Sequence, residues 1–231
     1  MSSTIRALHE VPGEATRTRL IAAGLELFGS LGFEAVTTRL LSARAGVNQA
    51  AIPYHFGGKQ GVYLAVAQHL CDTNGDRVRQ AIATARSGLD ASAADVGVVL
   101  ADFIVTCVDI VAGSEEGLLH YAFLVREQLA PSVAFDMIFD QMLLPVHQLV
   151  CELVARLKGL KPDAEETMLL AHAFLAQVAG FVTGRRLLQR RLKVDELDLS
   201  AVLDMVRYFS IAAAHGLQGK KSAELPCQIG R

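Results

Sequence analysis

The stretch Val36–Phe56, VTTRLLSARAGVNQAAIPYHF, constrains this chain more than any other, because its punctuation admits two short helices and a tight turn and little else. Thr37 is a good N-cap for a first helix running to about Ala45, since its hydroxyl can accept from a backbone N–H that the helix leaves unused. Gly46 follows as the residue that tolerates a positive φ, and Asn48 is the next capping residue, ahead of a second apolar-patterned segment. Ser42, Gly46, Val47 and Ile52, with Leu41 beside them, supply the small contact residue, the turn and the apolar seam that a helix-turn-helix requires.

The rest of the chain repeats its apolar residues at three- and four-residue spacing, and strand-type alternation persists nowhere. Leu20, Ile21, Gly24, Leu27, Phe28 and Leu31 predict a helix from Glu14 that stops at Gly32 and braces the helix-turn-helix from behind. Lys59 to about Ala85 is the longest helical pattern of the first half and would reach ~40 Å at ~1.5 Å per residue. Ser87–Asp95 breaks the pattern and reads as a loop. Val96–Val111 and Glu115–Leu129 follow, ended by Gly113 and Pro131, and Pro131–Lys158 reads as one helix kinked at Pro145. Asp163–Gln189 and Leu199–Leu217 close the series as a pair. The fold class expected is all-α, a three-helix head with a larger helical body. The expected division is a mobile N-terminal arm over residues 1–13, a head over 14–60, a body over 61–218 and a C-terminal tail over 219–231.

A chain of 231 residues with 52% hydrophobic and 20% charged residues is long and apolar enough for a substantial core, which excludes a disordered protein. The formal charge of −2 means that no global basic field draws in nucleic acid. Its distribution is uneven, with residues 1–60 at +2 and the remainder at −4. Cys71, Cys107, Cys151 and Cys227 lie far apart with no apolar leader ahead of them, so a reduced, cytoplasmic protein is expected. None of the apolar stretches reaches ~18 uninterrupted residues, so no membrane span is expected.

VTTRLLSARAGVNQAAIPYHFGGKQGVYLAV resembles the DNA-binding head of the TetR family of transcriptional regulators, in which an aromatic-rich end to the recognition helix precedes a Gly/Ser-Lys step into a long connecting helix. Tyr54, His55 and Phe56, then Gly57, Gly58 and Lys59, stand at those places. FLVREQLAPSVAFDMIFDQMLLPVHQLVCELV resembles the core domain of the CecR-like subgroup, so the similarity spans most of the chain. The resemblance implies a homodimeric, ligand-responsive regulator of double-stranded operator DNA, with the body binding a small-molecule effector. Its subgroup implies control of transport or drug-sensitivity genes. Within the recognition helix Gln49, Ala50 and Ala51 should face base edges, where Gln can bridge adenine N6 and N7 and small alanines let the backbone approach. Thr37, Thr38 and Arg39 open the preceding helix, where hydroxyls, backbone N–H groups and a guanidinium can grip phosphates. Asn48, Tyr54, His55 and Lys59 complete the expected DNA set. Pro53 departs from the family, many of whose members have tyrosine there. It should remove a hydrogen bond to the Gln49 carbonyl, so that the recognition helix is kinked or starts late.

For the body, the expected effector pocket gathers Phe103, Cys107, Tyr121, Phe123, Arg126, Phe135, His147, Phe174 and Gln177, apolar or aromatic residues with a few polar ones. Phe174, Phe181 and Leu188 at seven-residue spacing, the Gly180-x-x-x-Gly184 strip, and Val202 and Val206 in the last helix predict a dimer seam built as a four-helix bundle. No phosphate loop, nucleophile elbow or His-Glu-x-x-His motif is present, so no catalytic residue and no cofactor is assigned. The rival reading is a helical small-molecule carrier or an enzyme that uses the body pocket. His147 and Cys151 stand at i, i+4, a spacing that can hold a metal, but sequence names no third or fourth ligand, and no metal is assigned.

Overall fold

The computed structural model describes residues 12–89 and 95–218, so the expected tail over 219–231 lies outside the described residues, as do Arg6 and most of the expected arm. The described residues form eleven α-helices and one π-helical segment, with no strand among them. Helix α1 spans Pro12–Leu31 and starts two residues earlier than expected, with proline at the first position, where a missing N–H costs nothing. Helix α2 (Thr38–Ala45) is capped as expected: the Thr37 hydroxyl accepts from the Leu40 N–H at 3.1 Å, and Gly46 turns the chain at φ 63°. Helix α3 covers Ala51–Phe56 and α4 covers Lys59–Leu89, four residues beyond the expected end.

Helix α5 (Val96–Ala112) starts at Asp95, whose side chain accepts from the Gly97 and Val98 N–H groups, and α6 (Glu115–Leu129) has the expected bounds. The single kinked helix expected over 131–158 is instead α7 (Phe135–Ile138), a π-helical segment (Phe139–Leu143) and α8 (Leu144–Lys158). Pro145 offers no N–H to residue 141 and its ring presses on that carbonyl, and the wider π turn falls where this pressure acts. The helix expected over Asp163–Gln189 is likewise split into α9 (Glu165–Thr183) and α10 (Arg185–Leu192) at Gly184, where a Cβ would lie 2.6 Å from the Gly180 carbonyl oxygen. Gly184 therefore ends a helix and is no part of a smooth strip. Helix α11 spans Leu199–Gln218.

The chain divides into two compact units, cut through α4 and α6. One takes residues 1–73 and 119–139, the other 74–118 and 140–231. The first therefore holds the helix-turn-helix together with the C-terminal half of α6 and α7. Its core is built on Leu20, Phe28, Leu41, Ile52, Val66 and Phe123, and Phe28, Phe33, Tyr63 and Phe123 meet ring to ring at 4.8–6.0 Å. Gly24 lets α1 approach α4, since a Cβ there would sit 2.8 Å from a Val66 methyl. Glu127, 1% exposed, takes a hydrogen bond from the Tyr63 hydroxyl and two more from the Ser132 hydroxyl and N–H. Burial, the largest cause, and the neighbouring Glu127 push the Tyr63 phenol well above its ordinary range. In the second unit α5 packs against α11, and Leu100, Ile104, Leu149, Leu153, Phe174 and Val206 belong to one continuous core.

Candidate nucleic-acid interface

The geometry of α3 follows from Pro53. Asn48 does not cap a long helix. Its side chain accepts from the Ala50 N–H at 2.8 Å, closing a local turn, and the helix begins late, at Ala51. The Gln49 carbonyl, deprived of the Pro53 N–H, takes one from Ile52 at 3.2 Å instead. Pro53 thus sits in the first helical turn, where an N–H has no intrahelical partner to lose. Of the two outcomes expected for it, a kink or a late start, the structure has the late start.

On the resulting surface Asn48, Gln49, Ala50, Pro53 and Tyr54 are exposed while Ile52 is fully buried, so the helix is fastened by one face and shows polar and small side chains on the other. The Gln49 amide donates to the Thr38 hydroxyl at 3.0 Å, joining the starts of the two helices. Arg39 is exposed beside it. Ala51 and His55 are half-buried, and Tyr54, 83% exposed, meets the His55 ring edge-on at 4.8 Å. Lys59 donates to the Phe33 carbonyl at 3.0 Å and lies 4.0 Å over the Phe33 ring, so its cation is already engaged within the unit.

Two residues outside the expected set complete the surface. Arg17 donates to the His55 carbonyl at 3.3 Å and stacks over Phe56 at 4.7 Å, and Arg19 donates to the Gly46 carbonyl at 3.4 Å. Each cation from α1 thereby meets carbonyls left over at the end of α3 or α2, where the helix dipole favours positive charge. The only sequence signal for them is two arginines on a helix expected to brace the motif.

The expected effector residues divide between the units. Tyr121, Phe123, Arg126 and Phe135 belong to the first, and Phe103, Cys107, His147, Phe174 and Gln177 to the second. Arg126 donates to the carbonyls of Gly29 and Ser30, closing the end of α1. Phe123, Cys107 and Phe174 are core residues, and burial pushes the Cys107 thiol up to about 12. Gln177 hydrogen-bonds Ser210 at 3.1 Å. In the second unit a groove of about 650 Å³ runs between α4 and α5, and Phe103 is the one expected residue that lines it. Its floor is Ala81, Ala85, Val99 and Phe103, and its rim carries Asp76, Arg77, Gln80, Thr84, Asp102 and Asp109.

Among the expected dimer residues, Phe174 and Val206 are buried within the protomer, and Phe181 and Val202 pack against the same core. The stripe chosen on α11 therefore faces inward. Its other face, at the same helical spacing, shows Met205, Tyr208 (72% exposed), Phe209 (61% exposed), Ala212 and Gly216. Leu169, Ala173, Ala176 and Gly180 make a similar exposed strip on α9, while Leu188 is half-buried on α10. Phe135–Lys158 and Glu165–Thr183 are long and apolar enough to cross a membrane by length and composition, and in the second of these only 22% of the most apolar stretch is buried.

Comparison with known proteins agrees with this layout. Residues 97–217 match the family described as HTH-type transcriptional dual regulator CecR, C-terminal domain, and residues 20–66 match bacterial regulatory proteins, tetR family. The chain is 30% identical over 177 residues to the HTH-type transcriptional dual regulator CecR of Shigella flexneri, covering 76% of this chain and 79% of that one. A TetR-like transcriptional regulator from Rhodococcus sp. RHA1 superposes with a TM-score of 0.60 at 17% identity, over 91% of this chain and 100% of the other. The fatty acid degradation regulator FadR from Bacillus halodurans gives 0.56 at 18% identity, over 87% and 96%. These relatives are transcriptional regulators and not enzymes, and regulators of this family bind operator DNA and act as dimers. The chain belongs to the TetR family of transcriptional regulators, in its CecR-like branch.

Proposed function

We propose that this regulator is a cytoplasmic homodimer that represses from a palindromic operator and is released by a small molecule. The observation that carries the assembly is the double-faced α11, whose inner residues Val206, Ser210 and Ala214 are buried while Met205, Tyr208 and Phe209 stand in solvent. Apolar patches of this kind mark association surfaces, and a two-fold pairing of α9 and α11 buries them against their own copies. A four-helix bundle also accounts for the apolarity of α9 without a membrane. Gln49, Ala50 and Ala51 read base edges, with Thr38, Arg39 and Tyr54 on phosphates. Gln49 exchanges its hydroxyl partner on Thr38 for a base when DNA arrives. The effector occupies the groove between α4 and α5. Its floor takes hydrocarbon and its carboxylate-rich rim takes hydrogen-bond donors, so an amphipathic molecule with donor groups fits both. Helix α4 runs unbroken from Lys59 to Leu89, so a ligand that favours one disposition of it changes DNA affinity, and linkage makes DNA change ligand affinity by the same factor.

Footprinting on the DNA flanking the gene, then screening compounds for release, tests this reading. The expected result is a two-fold symmetric footprint whose half-sites lie about 34–36 Å apart or at a multiple of that spacing. A footprint without symmetry, or a protein that stays monomeric at the concentration that protects DNA, overturns it.

A further inference from the structure

The i, i+4 pair His147 and Cys151 on α8 gains a third group from α9. Cys151 Sγ lies 3.4 Å from His147 Nδ1, and the His172 ring centroid is 6.3 Å from that of His147. The backbone of Met168, one turn before His172, hydrogen-bonds the His147 ring and so fixes its orientation. Cys151 is 4% exposed and His172 stands on the surface of α9, so the three run from the core outward. Around a tetrahedral ion with bonds of about 2.0 Å to nitrogen and about 2.3 Å to sulfur, neighbouring N and S donors sit about 3.5 Å apart, which the Cys151–His147 pair already matches. Two imidazoles on one such ion hold their centroids about 5 Å apart, so His172 has about an ångström to travel, within the reach of a rotamer change in an exposed side chain.

We propose that His147, Cys151 and His172 bind a borderline transition-metal ion of the zinc or cobalt(II) class, with one coordination position open. A thiolate with two imidazoles selects such ions over magnesium and calcium, which demand oxygen. Glu152, the adjacent carboxylate, is already paired with Arg86 at 3.2 Å and is not a ligand. Without metal the set is neutral: burial first, then Glu152, raises the Cys151 thiol, while burial first, then His172, lowers His147. A protonated thiol beside a neutral imidazole is a poor nucleophile. Binding replaces the S–H bond by a metal–sulfur bond and gives the proton to solvent, with no change of oxidation state. The occupied site ties α8 to α9 beside the strip assigned above to the dimer, so the test uses the assembled full chain.

The metal-free protein, reduced and free of chelator, is titrated with cobalt(II). The expected result is an intense near-ultraviolet thiolate-to-cobalt band that saturates at one ion per chain, with visible bands of four-coordinate geometry, both displaced by zinc(II). Cys151→Ser abolishes the near-ultraviolet band. His172→Ala, at an exposed position, leaves circular dichroism unchanged and weakens cobalt binding at least about tenfold. Visible bands without the thiolate band, a thiolate band that survives Cys151→Ser, or unchanged affinity in His172→Ala each overturns the assignment.

Discussion

The outward faces of α3 and α11 are made of opposite materials, although each helix is held to its own unit by a buried apolar face. Helix α3 buries Ile52 and turns Pro53 and Tyr54 outward, next to Gln49 and Ala50 in the turn before it. Helix α11 buries Val206 and Ala214 and turns out Met205, Tyr208 and Phe209. A face of polar and small groups recovers its hydrogen bonds in water and waits for a partner that offers new ones. A face of hydrocarbon is at a disadvantage in water until something apolar covers it. The interiors differ in the same spirit. The first unit buries Glu127 with Tyr63 and Ser132 and closes helix ends with Arg17, Arg19 and Arg126, so its geometry is held by directional bonds. The second unit relies on close-packed hydrocarbon, with Thr167 and Ser210 its only fully buried polar residues among those described. A unit that must present side chains at set distances uses bonds that fail when geometry is wrong, and a unit that associates through broad apolar faces has less need of them.

The largest effect expected comes from breaking the apolar side of this contrast. Phe209→Glu removes its contact twice in a two-fold dimer, and burial of a phenylalanine is worth about 1.5–3 kcal/mol, so association should weaken by about 3–6 kcal/mol, roughly 10²–10⁴-fold. Sedimentation equilibrium measures this, and helicity should not change. An unaltered dimer constant would move the seam off α11. Next comes the directional network: Glu127→Ala leaves the Tyr63 hydroxyl and the Ser132 donors without their acceptor, and should cost about 3 kcal/mol of stability in a denaturant melt. A cost below about 1 kcal/mol would show that water replaces the carboxylate easily and that this unit is less bond-dependent than claimed.

On the polar face, Gln49→Ala should weaken specific DNA binding by about 1–3 kcal/mol per half-site and relax the base preference there, with little change in stability because its Thr38 partner is exposed to water. Competition against single-base variants of the operator separates the two outcomes, and an unchanged mismatch profile would remove Gln49 from the reading set. The smallest effect sharpens the comparison inside one helix. Thr37→Ala should lower stability by about 1 kcal/mol through the lost cap on α2, while Thr37→Ser keeps both the cap and the stability. If Thr37→Ala preserves stability and loses DNA affinity, the hydroxyl serves phosphate and not the helix.

Much of the fold is legible without coordinates, because helix starts and stops depend on a few neighbouring residues. Thr37, Gly46, Gly113 and Pro131 mark boundaries that the structure keeps, and the bounds of α6 come out as read. Pro53 is an intermediate case. The lost N–H is plain from the residue, but the late start was settled by whether the Gln49 carbonyl found another donor, and Ile52 supplied it. Which face of an apolar helix turns inward was not legible on α11, since both faces repeat at helical spacing and only packing against α5 chose Val206 over Phe209. Pairings across long separations belonged wholly to tertiary structure. Tyr63 meets Glu127 across 64 positions, Arg126 reaches back 97 to Gly29, and His172 comes from a second helix to the His147 and Cys151 pair. The sequence by itself determined the periodicities and the punctuation, which are local. Only the folded chain decided which buried polar groups find one another, because that depends on distances that no spacing along the backbone sets.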